Sequence, residues 1–197
     1  MSSAHSTQHT ALSKNVPILL SMVVMLSWHG GIAQATEATN NVSPTAPQEQ
    51  PVKAELITEH ASIQPGGQTR IGVHFDIEEG WHIYAKDPGD AGLPTTIAWF
   101  GPAGVTFGPL WWPTPEQFMD AGDIHTSGYT GVLVLYSPLK IASRVSADSI
   151  PIAATVKWLA CKQICVPGST ELHITLPVSA TAPVRSTHAE LFDQIAE

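Results

Sequence analysis

Apolar and polar side chains alternate over residues 68–77, QTRIGVHFDI. Ile71, Val73, Phe75 and Ile77 fall on one face, and Arg70, His74 and Asp76 on the other. A period of two marks a half-buried β-strand. Shorter strand candidates follow at Trp81–Ala85, Thr95–Trp99, Tyr129–Tyr136, Ile150–Cys161 and Glu171–Val178. Turn chemistry separates them: Glu79-Gly80, the DPGDAG run at 87–92, Gly101-Pro102 and Pro167-Gly168. Short strands with frequent turns and almost no helical periodicity predict an all-β fold, an antiparallel β-sandwich. The longest stretch without a strand signal runs from Leu110 to Gly128 and contains WWPTPEQFMDAGDIHTSG. It is too aromatic for an idle connection, and long loops in compact domains are often functional. The sandwich domain is expected over residues 52–180. A polar tail over 181–197 follows, with one short helix possible at His188–Ala196. There is no internal repeat.

Composition strengthens the β reading. Charged residues are 13% of the chain, against about 25% in an average domain. Sixteen prolines and 15 glycines supply turns rather than helices. The formal charge of −8 argues against nucleic acid as a partner, because phosphate binding needs a basic surface.

The first 35 residues read as a secretory signal peptide. Lys14 gives a positive start, Val16–Trp28 an apolar run, and Ala33-Gln34-Ala35 a small-x-small cleavage site. The apolar run is short for a transmembrane helix, which needs about 20 such residues. No cysteine follows it for a lipid anchor, and no second apolar run exists, so the mature chain is expected to be soluble. Residues 36–51, TEATNNVSPTAPQEQP, read as a disordered leader. Export places the chain where two nearby cysteines are expected to pair.

The chain has two cysteines, Cys161 and Cys165, within VKWLACKQICVPGSTELHITLPV (156–178), which reads as a β-hairpin. Trp158 and Cys161 have opposite parity, so Cys161 need not face the core that Trp158 faces. A tight turn through Lys162-Gln163-Ile164 can bring the two Cα atoms within disulfide range, roughly 4.4–6.8 Å. One reading is a stabilising disulfide. Closing about five residues removes only roughly 2 kcal/mol of unfolded-state entropy, against about 4.7 for a 100-residue loop. A short-range pair is therefore better suited to opening and closing without unfolding the domain. Thioredoxin chemistry is not expected, because it uses C-x-x-C at a helix N-terminus and a strand follows here. A Cu(I) site with a histidine is a further reading. Nine histidines are present, but three (His5, His9, His29) lie in the signal peptide and the rest are scattered. No metal ligand set and no cofactor is assigned. Nothing in the sequence supports nucleophilic hydrolysis.

Four stretches together resemble a known family: GWHIYAKDPGDAGLPT (80–95), WWPTPEQF (111–118), GYTGVLVLYSPL (128–139) and VKWLACKQICVPG (156–168). In this order they are similar to the N-terminal periplasmic domain of the thiol:disulfide interchange protein DsbD, and nearest to its ScsB relatives. The resemblance covers roughly residues 52–178. It implies an immunoglobulin-like antiparallel β-sandwich with a cap loop over a redox disulfide, working in the periplasm as a protein-disulfide reductase. It implies Cys161 and Cys165 as the active pair, with Cys165 forming mixed disulfides. His82 and Tyr84 would surround the pair, His82 standing where the best-known member has tyrosine. A cap within 114–127 would place Phe118 as an apolar lid. The implied partners are a membrane-embedded thiol transporter or thioredoxin-like donor, and thioredoxin-like periplasmic acceptors such as disulfide isomerases and cytochrome c maturation proteins. A role in copper stress would follow the ScsB branch. The gap between the cysteines is shorter here than in the best-known member. The alternative is a non-catalytic copper-binding or adaptor sandwich with a structural disulfide.

Overall fold

The computed structural model describes residues 50–120 and 122–195. The signal peptide read at 1–35 and nearly all of the leader read at 36–51 lie outside the described residues. Among the described residues, ten strands form two antiparallel sheets. The first sheet contains β1 (Val52–Thr58), β2 (Gln68–Ile77), β8 (Val132–Ile141) and β5 (Val105–Phe107), in that spatial order. The second runs β10 (Cys165–Pro177), β9 (Ser149–Cys161), β3 (His82–Gly89), β7 (Ile124–Tyr129), β6 (Glu116–Asp120). β4 (Thr96–Phe100) also pairs with β9, at the end away from β3. The fold is an immunoglobulin-like β-sandwich.

The alternation read in β2 is the alternation that folds. Ile71, Val73, Phe75 and Ile77 are all buried; Val73, Phe75 and Ile77 share a core with Ala154, Val156, Trp158 and Ala160 of β9, and Ile71 packs with Ile150 and Ile152. The Phe75 and Trp158 rings meet edge to face, centroids 6.0 Å apart. Each such large side chain, fully buried, contributes roughly 1.5–3 kcal/mol. Trp99 Nε1 donates to the buried Ser137 Oγ at 3.1 Å, tying β4 to β8.

Four readings from the sequence need correction. The stretch expected to be strandless, Leu110–Gly128, contains the β6–β7 hairpin. Its edge strand EQFMD is polar and leaves little alternation to read. The candidate at Tyr129–Tyr136 is two strands, because Gly131 turns the chain at φ +60° between β7 and β8. The DPGDAG run begins inside β3, which extends to Gly89. Pro167-Gly168 is not a turn but lies within β10, opposite Leu159 and Trp158. β10 is an edge strand, where a proline's missing N–H is tolerated. The short helix expected at His188–Ala196 is present as α1 (Ala189–Gln194), and its Phe192 is fully buried against Ile57 and Val134.

Candidate redox site at the β9–β10 turn

β9 and β10 form one long hairpin, and its register decides where the cysteines stand. Cys161 ends β9, Cys165 starts β10, and the two are direct cross-strand partners joined as a disulfide, with Cα atoms 4.1 Å apart. That spacing is near the roughly 4.5 Å of a non-hydrogen-bonded antiparallel pair. Between them, Lys162 N–H donates to the Ile164 carbonyl at 3.0 Å, and Lys162 Nζ donates to the Glu79 carbonyl at 3.2 Å.

The two sulfurs have unlike surroundings. In β9 the even-numbered residues from Ile150 to Ala160 point into the sandwich. Cys161 is odd and points to the outer face, yet it is only 3% exposed. Side chains from β3 enclose it. His82 is its cross-strand partner and therefore shares its face. Tyr84, two residues along, donates its hydroxyl to Cys161 Sγ at 3.3 Å. Cys165, by contrast, is exposed.

Two glycines build this enclosure. Gly92 (φ +101°) lies flat against Tyr84, since a Cβ there would come within 2.5 Å of the ring. The DPGDAG run thus covers the tyrosine, and Thr95 Oγ1 donates to the Tyr84 carbonyl at 2.8 Å. Gly128 is the cross-strand partner of Tyr84 in β7. A Cβ on it would meet the Ile83 carbonyl oxygen at 2.3 Å and Phe118 Cε2 at 3.3 Å. The bare glycine lets Phe118 reach inward from β6 and stack on His82, centroids 4.6 Å apart and planes 19° apart. Tyr84 meets the same imidazole edge-on at 5.1 Å. The hairpin carrying Phe118 is latched to the loop after β3. Asp90 N–H donates to the His125 carbonyl, and His125 N–H to Asp90 Oδ2, both at 2.9 Å. At its base the Tyr129 hydroxyl donates to the Pro113 carbonyl at 2.8 Å, and burial pushes the Tyr129 pKa up to about 12.

Cys161, Cys165, His82, Tyr84 and Phe118, all singled out from the sequence, thus meet at one place. Phe118 contacts His82. Gly92 and Gly128 were not singled out; the signal that could have found them is their place in DPGDAG and beside Tyr129. Among the described residues no group of three or more His, Cys, Asp or Glu is placed to hold a metal ion. Chemically, an exposed sulfur bonded to an enclosed one presents a single face to an incoming thiolate. The leaving sulfur has a hydroxyl donor beside it.

Residues 48–177 match the family model described as thiol:disulfide interchange protein DsbD, N-terminal. The fold is similar to the N-terminal periplasmic domain of ScsB from Proteus mirabilis, at 23% identity and TM-score 0.55, over 77% of this chain and 55% of that one. The chain therefore spans little more than half of that structure. The DsbD N-terminal domain of Neisseria meningitidis, in its reduced form, aligns at 14% identity and TM-score 0.41, over 68% of this chain and 90% of that one. No curated protein matches the sequence.

Proposed function

This chain belongs to the family of N-terminal domains of the thiol:disulfide interchange protein DsbD, and on that premise we propose that it is a periplasmic thiol–disulfide exchange module, a protein-disulfide reductase whose active pair is Cys161–Cys165. The observation that carries the reading is the asymmetry of the pair: Cys165 exposed, Cys161 enclosed with the Tyr84 hydroxyl on its sulfur. A donor thiolate attacks Cys165 Sγ. The Cys161–Cys165 bond breaks, and its electron pair leaves on Cys161 Sγ. A hydrogen bond to a developing thiolate is stronger than one to a neutral sulfur, so Tyr84 favours that departure. A second donor thiolate then attacks the donor sulfur of the mixed disulfide. It releases the donor as a disulfide and the domain as a dithiol. The domain passes its electrons on by the reverse steps: Cys165 attacks an acceptor's disulfide and Cys161 resolves it. No cofactor enters.

The donor in this reading is a membrane-embedded thiol transporter or a thioredoxin-like protein, and the acceptors are oxidised thioredoxin-like periplasmic proteins. Cleavage after Ala35 would deliver the chain to the periplasm. No helix among the described residues is long and apolar enough to cross a membrane. The β6–β7 hairpin, with Phe118 over His82, serves as the cap.

Trapping tests the assignment of roles. With Cys161→Ser, Cys165 has no resolving thiol and accumulates a mixed disulfide with a thioredoxin-like protein, visible as a reductant-sensitive band. With Cys165→Ser, Cys161 stays enclosed and traps little. Efficient trapping through Cys161 alone reverses the roles; trapping through neither removes the exchange function.

A further inference from the structure

We propose that a groove beside Cys165 recognises an extended apolar segment of the partner protein, bearing an acidic residue, on the partner's chain next to its attacking cysteine. The inference rests on the exchange reading above and adds to it which partner sequence the domain prefers. The groove holds about 410 Å³ and is lined by Leu93, Pro94, Thr96, Lys157, Pro167 and Ser169. Register places it on the face that carries the disulfide. Thr96 and Ser169 flank Lys157 as cross-strand partners on either side, Pro167 pairs with Leu159, and Cys165 with Cys161. Pro167 is two residues beyond Cys165 on the same face, about 7 Å at 3.4 Å per residue. Lys157 is four residues from Cys161, about 14 Å along the strand.

Chemistry names the occupant. A mixed disulfide at Cys165 fixes the partner's backbone over this sulfur, so its next few residues must run across neighbouring strands. Leu93 projects at the groove, 62% exposed, and Ile164, 63% exposed, stands beside Cys165. Large apolar side chains left in water at a site where another chain must dock favour an apolar residue in return. Among the described residues lining the groove, Lys157 alone carries a charge, in a chain whose formal charge is −8. Lys157 therefore selects an acidic neighbour for that apolar residue, by attraction between unlike charges across the contact.

The test uses the oxidised full chain without its signal peptide and three heptapeptide thiols. Glu-Leu-Ser-Cys-Ser-Leu-Glu offers apolar and acidic residues on both sides of its cysteine; Gln-Ser-Ser-Cys-Ser-Ser-Gln offers neither. The step is balanced as two peptide thiols plus the protein disulfide giving one peptide disulfide plus the protein dithiol. The readout is each peptide's rate divided by the dithiothreitol rate on the same protein. The first peptide is expected to react about tenfold faster than the second, the scale of burying one leucine side chain. Leu93→Ser and Lys157→Glu, both at exposed positions, each remove most of that preference. Lys157→Glu transfers it to Lys-Leu-Ser-Cys-Ser-Leu-Lys. Equal rates for the first two peptides, with dithiothreitol still reducing the pair, overturn the groove and leave the exchange reading standing. A pair that dithiothreitol does not reduce overturns both. A dimer in sedimentation that Lys157→Glu dissolves assigns the groove to a second copy and overturns the proposal.

Discussion

Phe118 acts at second hand in this site. Its ring lies on His82, and His82 is the residue opposite Cys161. Access of the attacking thiolate is one of the terms that set exchange rates. Phe118→Ala is expected to open a path past His82 to the enclosed Cys161 Sγ, a second sulfur for attack, and so to speed reduction by dithiothreitol by about threefold or more. The ring is half-buried on an edge strand, so the loss of stability should stay within about 1.5 kcal/mol. Stopped-flow reduction beside urea unfolding checks both, and an unaltered dithiothreitol rate removes the lid from the mechanism. At this scale the sequence was informative wherever chemistry is carried by a rare residue type. Two cysteines in a hairpin, and a His-x-Tyr on a neighbouring strand, could be found by pattern and resemblance. The glycines carry only the weaker signal of their place in DPGDAG and beside Tyr129, which does not reveal their role. Gly92 and Gly128 matter because of what lies where their Cβ atoms would be, and that depends on Tyr84, Ile83 and Phe118 arriving from elsewhere in the chain.

Among elements, β9 and β2 were legible because each buries one face and exposes the other along most of its length. The β6–β7 hairpin was not, since β6 is a polar edge strand and β7 joins β3 through an irregular register between Tyr84 and Gly89. β10 shows how a local signal misleads. Pro167-Gly168 has turn chemistry, but Gly168 pairs with Trp158, and a Cβ on it would fall 2.2 Å from the indole Cε2. The glycine leaves room for the tryptophan under an edge strand. Gly168→Ala should force the indole or β10 to shift and destabilise the domain by about 1–3 kcal/mol, the range for overpacked sites. The midpoint of urea unfolding reads this directly; a midpoint equal to wild type shows that the strand yields freely. The same segment carries Cys165, so the variant should also change the rate of disulfide reduction.

For the whole molecule, one ion pair ties the ends of the fold. Arg70 on β2 donates from Nε and one Nη to the two carboxylate oxygens of Glu59, each at 2.9 Å, and from its other Nη to the Phe192 carbonyl of α1 at 2.7 Å. Hydrogen bonds and charge from Arg70 hold the Glu59 carboxyl below its ordinary range. A lowered native pKa means that the unfolded chain binds this proton more readily, so the pair's stabilisation is full above the ordinary carboxylate range. It is lost as pH falls through the lowered native value. Tyr129 has the opposite sign: its native pKa is raised to about 12, so its contribution is full below the ordinary tyrosine value of about 10. It is lost as pH rises towards the native value. Neither group makes stability change across neutral pH, and Glu59→Gln should flatten the acid limb, measured as urea midpoint against pH. An acid limb as steep as wild type assigns acid unfolding to other carboxylates. None of this depends on the disulfide, which closes a hairpin held by twelve further residue pairs between β9 and β10. Serine at both Cys161 and Cys165 should cost at most about 2 kcal/mol. That independence permits a working redox pair. The most direct test is the reduction potential of Cys161–Cys165, taken by equilibration against glutathione and thioredoxin buffers. An exchange centre lies above about −300 mV, the level below which structural disulfides of secreted proteins typically fall, and returns fully on reoxidation. A potential at or below that level, or a pair that thioredoxin cannot reduce, contradicts the exchange function and leaves the disulfide a structural one.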